Sequence, residues 1–277
     1  MVKIGFLGPE GTFSQEALEK YIQDESFSAY DYNSIQDLLQ AVQNGELDEA
    51  VVPIENSLEG AVNATLDMMA GDLELKIKAE IVVPIEQNLL VKPGTKKSDI
   101  RYILSHPQAL GQCRNFINSS YPEAEVIMVF STAGAAKEVS CRLNDSAAIG
   151  SRTAARVYGL EVLERGIQDN RDNLTRFIVV SKEHGKRTGS DKTSIVFSTE
   201  NKPGSLYRIL DIFNLWDINM TRIESRPAKD KLGRYVFFVD VEGHIDDEDI
   251  RDAFTMIKRK TSFFKFLGSY PKCDENG

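Results

Sequence analysis

From residue 2 to about residue 180 the chain alternates short apolar runs with segments of helical spacing. Val2–Leu7 is a first apolar run. Phe13, Ala17, Leu18, Tyr21 and Ile22 then recur at three- and four-residue steps, which predicts a helix with one buried face. Phe27–Tyr32 reads as a strand, Ile35, Leu38, Leu39 and Val42 repeat the helical spacing, and Asn44-Gly45 supplies a stop. Ala50–Ile54 predicts a third strand, with a helix starting at Ser57. Repeated strand–helix units imply an α/β domain with a mostly parallel sheet.

Residues 73–91 break this rhythm. Leu73–Lys78 alternates apolar and charged positions, and Glu80–Val91 is a long β-type run interrupted by Pro84, with no helix between them. The chain is read here as crossing from one lobe to another. Strand–helix units resume with Tyr102–Leu104 and a helix from Pro107, Val126–Phe130 and a helix from Thr132, and Ala147–Ile149 and a helix from Arg152. Thr175–Ser181 closes the series. The expectation is a domain over 1–182 with two α/β lobes and a cleft, lobe one covering about 1–76 and 161–182 and lobe two about 77–160. The polar stretch from Glu183 to Lys192 is the best linker in the chain. Beyond it come a strand over 193–199, a helix over 204–215, strands over 218–225 and 234–242, a helix over 246–259 and a strand over 263–268. That β-α-β-β-α-β order is the ferredoxin-like α+β unit, expected over 192–270.

Composition narrows the functional classes. A net charge of −9 argues against nucleic acid as a partner, since phosphate binding needs a basic surface. The three cysteines, Cys113, Cys141 and Cys273, are widely separated, which points to a reducing compartment, and the N-terminal apolar run is too short for a signal peptide or membrane span. A cytoplasmic protein without membrane attachment is expected. His106, His184 and His244 lie far apart in sequence, and no metal-site spacing, dinucleotide fingerprint, Walker A loop or nucleophile elbow is present. No metal or cofactor is expected.

What remains is a set of polar loops, each after an apolar run. Asn170-Arg171-Asp172-Asn173-Leu174-Thr175-Arg176-Phe177 feeds into Ile178-Val179-Val180, placing a hydroxyl and a fixed positive charge at a strand mouth. Pro53-Ile54-Glu55-Asn56-Ser57, Ser105-His106-Pro107-Gln108 and Ser131-Thr132-Ala133-Gly134 look like its partners. Together they suggest one pocket for a small anion, because open N–H groups at helix starts favour negative charge. Taken singly, each Ser or Thr is equally a helix cap. Ser105 and Gln112 are placed facing the same cleft; Gln112 is otherwise an exposed helix residue, and Arg176 otherwise a surface ion pair. Cys113 reads as a small buried residue rather than a nucleophile.

The loops resemble the prephenate dehydratase family. The resemblance rests on Gly8-Pro9-Glu10-Gly11-Thr12-Phe13-Ser14, Pro53–Ser57, Ser105–Leu110, Gly111-Gln112-Cys113, Ser131-Thr132-Ala133 and Thr175-Arg176-Phe177, in family order. Pro203-Gly204-Ser205-Leu206 and Glu224-Ser225-Arg226-Pro227 resemble the family's ACT regulatory domain, with Ser205 standing where Ala is common. The resemblance implies a two-lobed catalytic domain similar to periplasmic binding proteins and a C-terminal ferredoxin-like ACT domain. It implies a carbon–oxygen lyase that converts prephenate to phenylpyruvate, water and CO2 without a cofactor, in phenylalanine biosynthesis. Thr175 would act at the ring hydroxyl, with Asn56, Ser57, Ser105, Gln112, Arg176 and Phe177 around the substrate. Phenylalanine would be the feedback effector, held by Gly204, Ser205, Leu206, Asn219, Glu224 and Ser225 in a homodimer or homotetramer. Alternatives are an arogenate dehydratase and a non-catalytic amino-acid sensor.

Overall fold

A computed structural model of the chain describes residues 1–22, 26–228 and 235–273. In chain order the elements are β1 (Val2–Leu7), α1 (Phe13–Tyr21), β2 (Phe27–Tyr32), α2 (Ile35–Asn44), β3 (Glu49–Asn56), β4 (Gly60–Ala61), α3 (Asn63–Ala70) and β5 (Lys76–Pro84). Next come β6 (Asn88–Val91), β7 (Tyr102–Ser105), α4 (Pro107–Gln112), α5 (Arg114–Ser120), β8 (Glu125–Met128), α6 (Thr132–Cys141), β9 (Ser146–Gly150), α7 (Arg152–Tyr158) and β10 (Glu161–Glu164). The last are β11 (Leu174–Ser181), β12 (Asp191–Ser198), α8 (Ser205–Leu215), β13 (Met220–Pro227), β14 (Tyr235–Glu242), α9 (Glu248–Lys260) and β15 (Phe263–Pro271). Arg234, the expected start of the strand over 234–242, lies outside the described residues.

The strands form three sheets. The first has the order β2-β1-β3-β11-β5, with β4 paired to β3; the second is β10-β6-β9-β7-β8; the third is β13-β14-β12-β15. The second sheet departs from the mostly parallel expectation. β7 runs parallel to β8 and β9, but β6 is antiparallel to both β9 and β10. No helix lies between β5 and β6, so β6 is not part of a strand–helix unit of the kind that builds parallel pairs. Sheet membership also moves the crossings away from the expected lobe limits at 76/77 and 160/161. β5 stays in the first sheet and β10 joins the second, so the chain crosses at residues 85–87 and returns through 165–173. The expected helix at Ser57 is another difference: residues 57–59 form a turn into β4, and α3 waits until Asn63. Gly60 there has φ +80°, a left-handed conformation that glycine adopts without a steric penalty.

By compactness the chain divides into two units. One comprises Met1–Leu38, Val51–Asn63 and Ile81–Phe177; the other comprises Leu39–Ala50, Ala64–Glu80 and the chain from Ile178 onward. In the first unit, the pleat of the second sheet sends alternate residues to opposite cores. Leu89, Ile103, Ala147 and Ile149 pack with α4 and α5 on one face. Leu90, Leu104 and Ala148 pack with α6 and α7 on the other.

In the second unit, Ile195 and Phe197 of β12 and Val239 and Val241 of β14 bury against Ile209, Ile212 and Phe213 of α8 and Ile250, Phe254 and Ile257 of α9. This antiparallel sheet with helices in β-α-β-β-α-β order is the expected ferredoxin-like arrangement. The polar stretch before it is not a loose tether. His184 packs edge-on to Phe266 and lies 5.5 Å from the ring of His244, while Gly185 N–H donates to Ser269 O. The two histidines that are distant in sequence are therefore neighbours in space. Among the described residues no group of three metal-ligating side chains forms. α3 is held within the same unit. Lys265 Nζ donates to the carbonyls of Met69, Gly71 and Leu73 at 2.8, 2.6 and 2.6 Å, covering the C-terminal end of that helix. Among the described residues no helix is long and apolar enough to cross a membrane.

Candidate active site

The polar loops picked out from sequence do meet, in the first unit. They surround a cavity of about 250 Å³, room for one small ligand. Asn56 and Thr175 form one wall, Gln87 and Gln112 another, and Phe130, Ser131 and Thr132 bring in the start of α6. Ser131 caps that helix by accepting the Gly134 N–H at 2.9 Å. A Cβ at Gly134 would lie 2.8 Å from the same Ser131 oxygen, so the cap needs glycine at that position. With its cap turned inward, the N-terminus of α6 presents positive potential to the cavity. His106 caps α4 by accepting Gln108 N–H at 3.3 Å and also faces the cavity.

Asn56 organises the rest. Its Oδ1 accepts the N–H groups of Leu58 and Glu59, both at 3.0 Å, as the chain turns into β4. That pairing decides which end of the amide is oxygen. Nδ2 therefore donates, to Asn173 Oδ1 at 2.7 Å and to Thr175 Oγ1 at 2.8 Å. A longer contact reaches Leu174 O at 3.3 Å. Ser57 fastens the same two loops together: its N–H donates to Leu174 O at 2.9 Å, and its Oγ accepts Leu174 N–H at 3.0 Å and donates to Asp172 O at 3.1 Å. Thr175 is 7% exposed and its oxygen already receives the Asn56 amide. A hydroxyl whose lone pair is engaged keeps its own hydrogen for another acceptor.

Not every expected site residue lines this cavity. Ser105 is fully buried and donates to Ile149 O at 2.7 Å, so its hydroxyl ties β7 to β9 instead of facing the cleft. Phe177 is 2% exposed, because it is the first inward-facing apolar residue of β11. Ser57 is a loop fastener, and the Arg176 guanidinium lies 3.5 Å from the Glu55 carboxylate. Gln112 is in place, half-buried at the end of α4, with its Oε1 accepting Gln87 Nε2 at 3.4 Å. Cys113, the next residue, is buried, and burial together with Asp169 pushes its thiol up to about 12.

The sequence reading assigned no role to Asn173 or Gln87. Asn173 sits in the same polar stretch as Thr175, and its side chain is 2% exposed, the signature of a structural hydrogen bond. Gln87 lies in the β-type run Glu80–Val91; it falls in the crossing after Pro84, where the run is interrupted.

The expected effector residues are dispersed. Gly204 and Ser205 open α8, Glu224 and Ser225 lie within β13, and Leu206 packs beside the core of α8 and α9. Asn219 follows the other end of α8, where its Nδ2 donates to Glu242 Oε2 at 3.0 Å. The eleven residues of α8 separate the two groups by about 16 Å at the helical rise.

Comparison with known proteins agrees with this arrangement. A family model described as prephenate dehydratase matches residues 4–185, and one described as the ACT domain matches residues 193–255. The bifunctional chorismate mutase/prephenate dehydratase of Aquifex aeolicus is 43% identical over 273 residues, covering 98% of this chain and 74% of that protein. The crystal structure of the prephenate dehydratase of Arthrobacter aurescens in complex with L-Phe superimposes with a TM-score of 0.89 at 40% identity, covering 98% of this chain and 90% of that one. A further structure, GqqA, described as a novel type of quorum quenching acylase, has a TM-score of 0.87 at 29% identity, covering 99% of this chain and 100% of that one. By the extent of the family match and by the identity to relatives over nearly all its length, the chain belongs to the prephenate dehydratase family and carries an ACT domain in its C-terminal part.

Proposed function

We propose that the protein converts prephenate to phenylpyruvate, CO2 and water at the Asn56–Thr175 cavity, under feedback control by phenylalanine. The observation that carries the reading is the Asn56 amide donating into Thr175 Oγ1, which leaves the threonine hydrogen free to point at a leaving group.

The reaction asks little of the protein beyond placement and hydrogen bonding. The bond from the ring to its carboxylate breaks and its electron pair enters the ring. The C–O bond opposite breaks, and its pair leaves on the hydroxyl oxygen, which takes up a proton to become water. Aromatisation drives both steps. A threonine hydroxyl is too weak an acid to surrender its proton near pH 7. It serves instead as a donor to the negative charge that grows on the departing oxygen. The N–H from Asn56 polarises that hydroxyl and makes it a better donor. The start of α6 and the Gln112 amide supply neutral donors for the carboxylates. Arg176, paired with Glu55, contributes positive potential from the strand behind the cavity.

An acylase chemistry of the kind described for GqqA is less well supported by this site. An acylase nucleophile needs a base, and Thr175 receives an amide donor where a base would have to sit. Cys113, with its thiol held up near 12, is not a substitute.

For the effector, the separation of Gly204 and Ser205 from Asn219 favours a site built by two copies of the chain, one supplying the start of α8 and the other the loop after it. A homodimer or a tetramer of such dimers satisfies this. Incubation of the purified protein with prephenate, with arogenate and with an acyl-homoserine lactone tests the reading. Phenylpyruvate formed from prephenate, and suppressed by phenylalanine, is expected. Turnover of arogenate alone, or of the lactone alone, contradicts it.

A further inference from the structure

Gln87 carries a polar atom that the fold itself leaves unsatisfied. The residue is 3% exposed and lines the cavity. Its backbone is pinned on both sides: the N–H donates to Gln168 Oε1 at 3.0 Å, and the carbonyl accepts Ile167 N–H at 2.9 Å. Its Nε2 reaches Gln112 Oε1 at 3.4 Å. Among the described residues its Oε1 is buried without a hydrogen-bond partner. A buried amide oxygen left unpaired is costly, and such an atom in a ligand cavity asks for a donor from the ligand.

The substrate class restricts which group can answer. On the prephenate reading, on which this inference rests, the ligand has two carboxylates, a ketone and one ring hydroxyl. At neutral pH every one of these groups accepts, and only the hydroxyl donates. We propose that Gln87 Oε1 accepts a hydrogen bond from the substrate's ring hydroxyl and is a substrate-positioning and specificity residue of this site. The hydroxyl is then held from two sides. Gln87 takes its hydrogen, and a lone pair of the same oxygen is turned toward the donor hydroxyl of Thr175. Gln112 completes the arrangement: with its Oε1 engaged by Gln87, its Nε2 is directed at the substrate as a donor for carboxylate. The amide pair thus presents one acceptor and one donor, matched to a ligand with one donor and several acceptors.

The test uses two inhibitors that differ only in a hydroxyl: phenylpyruvate, and phenylpyruvate bearing a para hydroxyl on its ring. Neither has the ring carboxylate, so the comparison isolates the contact at the hydroxyl position. Inhibition constants are measured for the full-length protein and for Gln87→Met, with Gln87→Glu as a second variant that keeps an acceptor. The wild type should bind the hydroxylated compound about 5- to 10-fold more tightly, the range for one buried hydrogen bond. Gln87→Met should erase that preference, weaken phenylpyruvate less than the hydroxylated compound, and raise KM for prephenate about 10-fold with a smaller change in kcat. Gln87→Glu should retain a preference for the hydroxylated compound while weakening both. A preference that survives in Gln87→Met, or an equal loss for both compounds, overturns the assignment. Failure of the wild type to turn over prephenate instead defeats the functional reading, which the same preparation reports separately.

Discussion

The cavity in the first unit and the regulatory face in the second solve opposite problems. Around Asn56 the hydrogen bonds are closed within one chain: two backbone donors enter its oxygen, and its nitrogen supplies Asn173 and Thr175. On the ferredoxin-like domain the expected effector residues are dispersed: Gly204, Ser205 and Leu206 lie at the start of α8, Asn219 beyond its other end, and Glu224 and Ser225 within β13. On the proposed reading the substrate site is preorganised within one copy, whereas the effector site is completed by a second. The difference teaches why the two functions separate physically. Chemistry needs donors fixed before the substrate arrives, and regulation needs an equilibrium that a ligand can shift.

The largest effect that can break this comparison is at Thr175. Thr175→Ala should lower kcat by roughly 10²–10³, the usual loss for one transition-state donor, with a smaller change in KM. Thr175→Ser should keep much of the activity. Normal turnover by the alanine variant in a steady-state assay would reduce Thr175 to a strand residue without chemistry.

Asn56→Asp probes direction as well as presence. A carboxylate at that position only accepts, so it draws the Thr175 hydrogen toward itself and away from the substrate. A fall in kcat of roughly 10² is expected, near that of Thr175→Ala. Asn56→Asp with wild-type kcat contradicts the donor assignment.

On the regulatory side, Arg226 of the Glu-Ser-Arg-Pro stretch donates from Nε and Nη2 to Asp67 Oδ1 of α3 at 3.1 and 3.0 Å. α3 follows directly on the β3–β4 turn that Asn56 anchors. Arg226→Ala should leave uninhibited turnover close to normal and raise the phenylalanine concentration for half inhibition by at least about 5-fold, the lower end for allosteric coupling. Unchanged potency would show that this ion pair takes no part in regulation.

The smallest expected effect is on stability. Burial, with Lys76 beside it, pulls the Lys265 ammonium down to about 8. Between that value and the ordinary lysine range the unfolded chain holds the extra proton, so this group's contribution to stability rises with pH from about 8 upward. Lys265→Met should flatten the rise in a pH series of denaturant unfolding curves. A wild-type slope retained in the variant assigns the effect elsewhere.

Much of this was legible in the sequence because it depends on periodicity and loop position. The strand–helix alternation and the β-α-β-β-α-β order follow from spacing alone, Asn56 and Thr175 stand at a strand end and a strand start, and Gln112 stands on the helix that begins at Pro107. What was not legible depends on direction. Ser105 stands beside His106, yet its hydroxyl is turned into the sheet toward Ile149 O, and Phe177 shares a strand face with Thr175 but lies two residues further along, within the core. Gln87 lies in a polar Glu86-Gln87-Asn88 break inside a longer β-type run, and a crossing between sheets has no periodicity that would single it out. The second sheet's antiparallel strands were missed for the same reason. The polar stretch after Glu183 misled in the other direction: it lacks apolar residues, but its glycine and histidines pack closely against β15.

Asn56 is proposed to act through Thr175. A double-mutant cycle tests it most directly, with kcat measured for Asn56→Ala, Thr175→Ala and the pair together under saturating prephenate. If Asn56 serves to polarise the Thr175 hydroxyl, removing the amide after the hydroxyl is gone should cost almost nothing, and the double variant should match Thr175→Ala within about 3-fold. Two losses that multiply would contradict the account, because each residue would then be acting on the substrate alone.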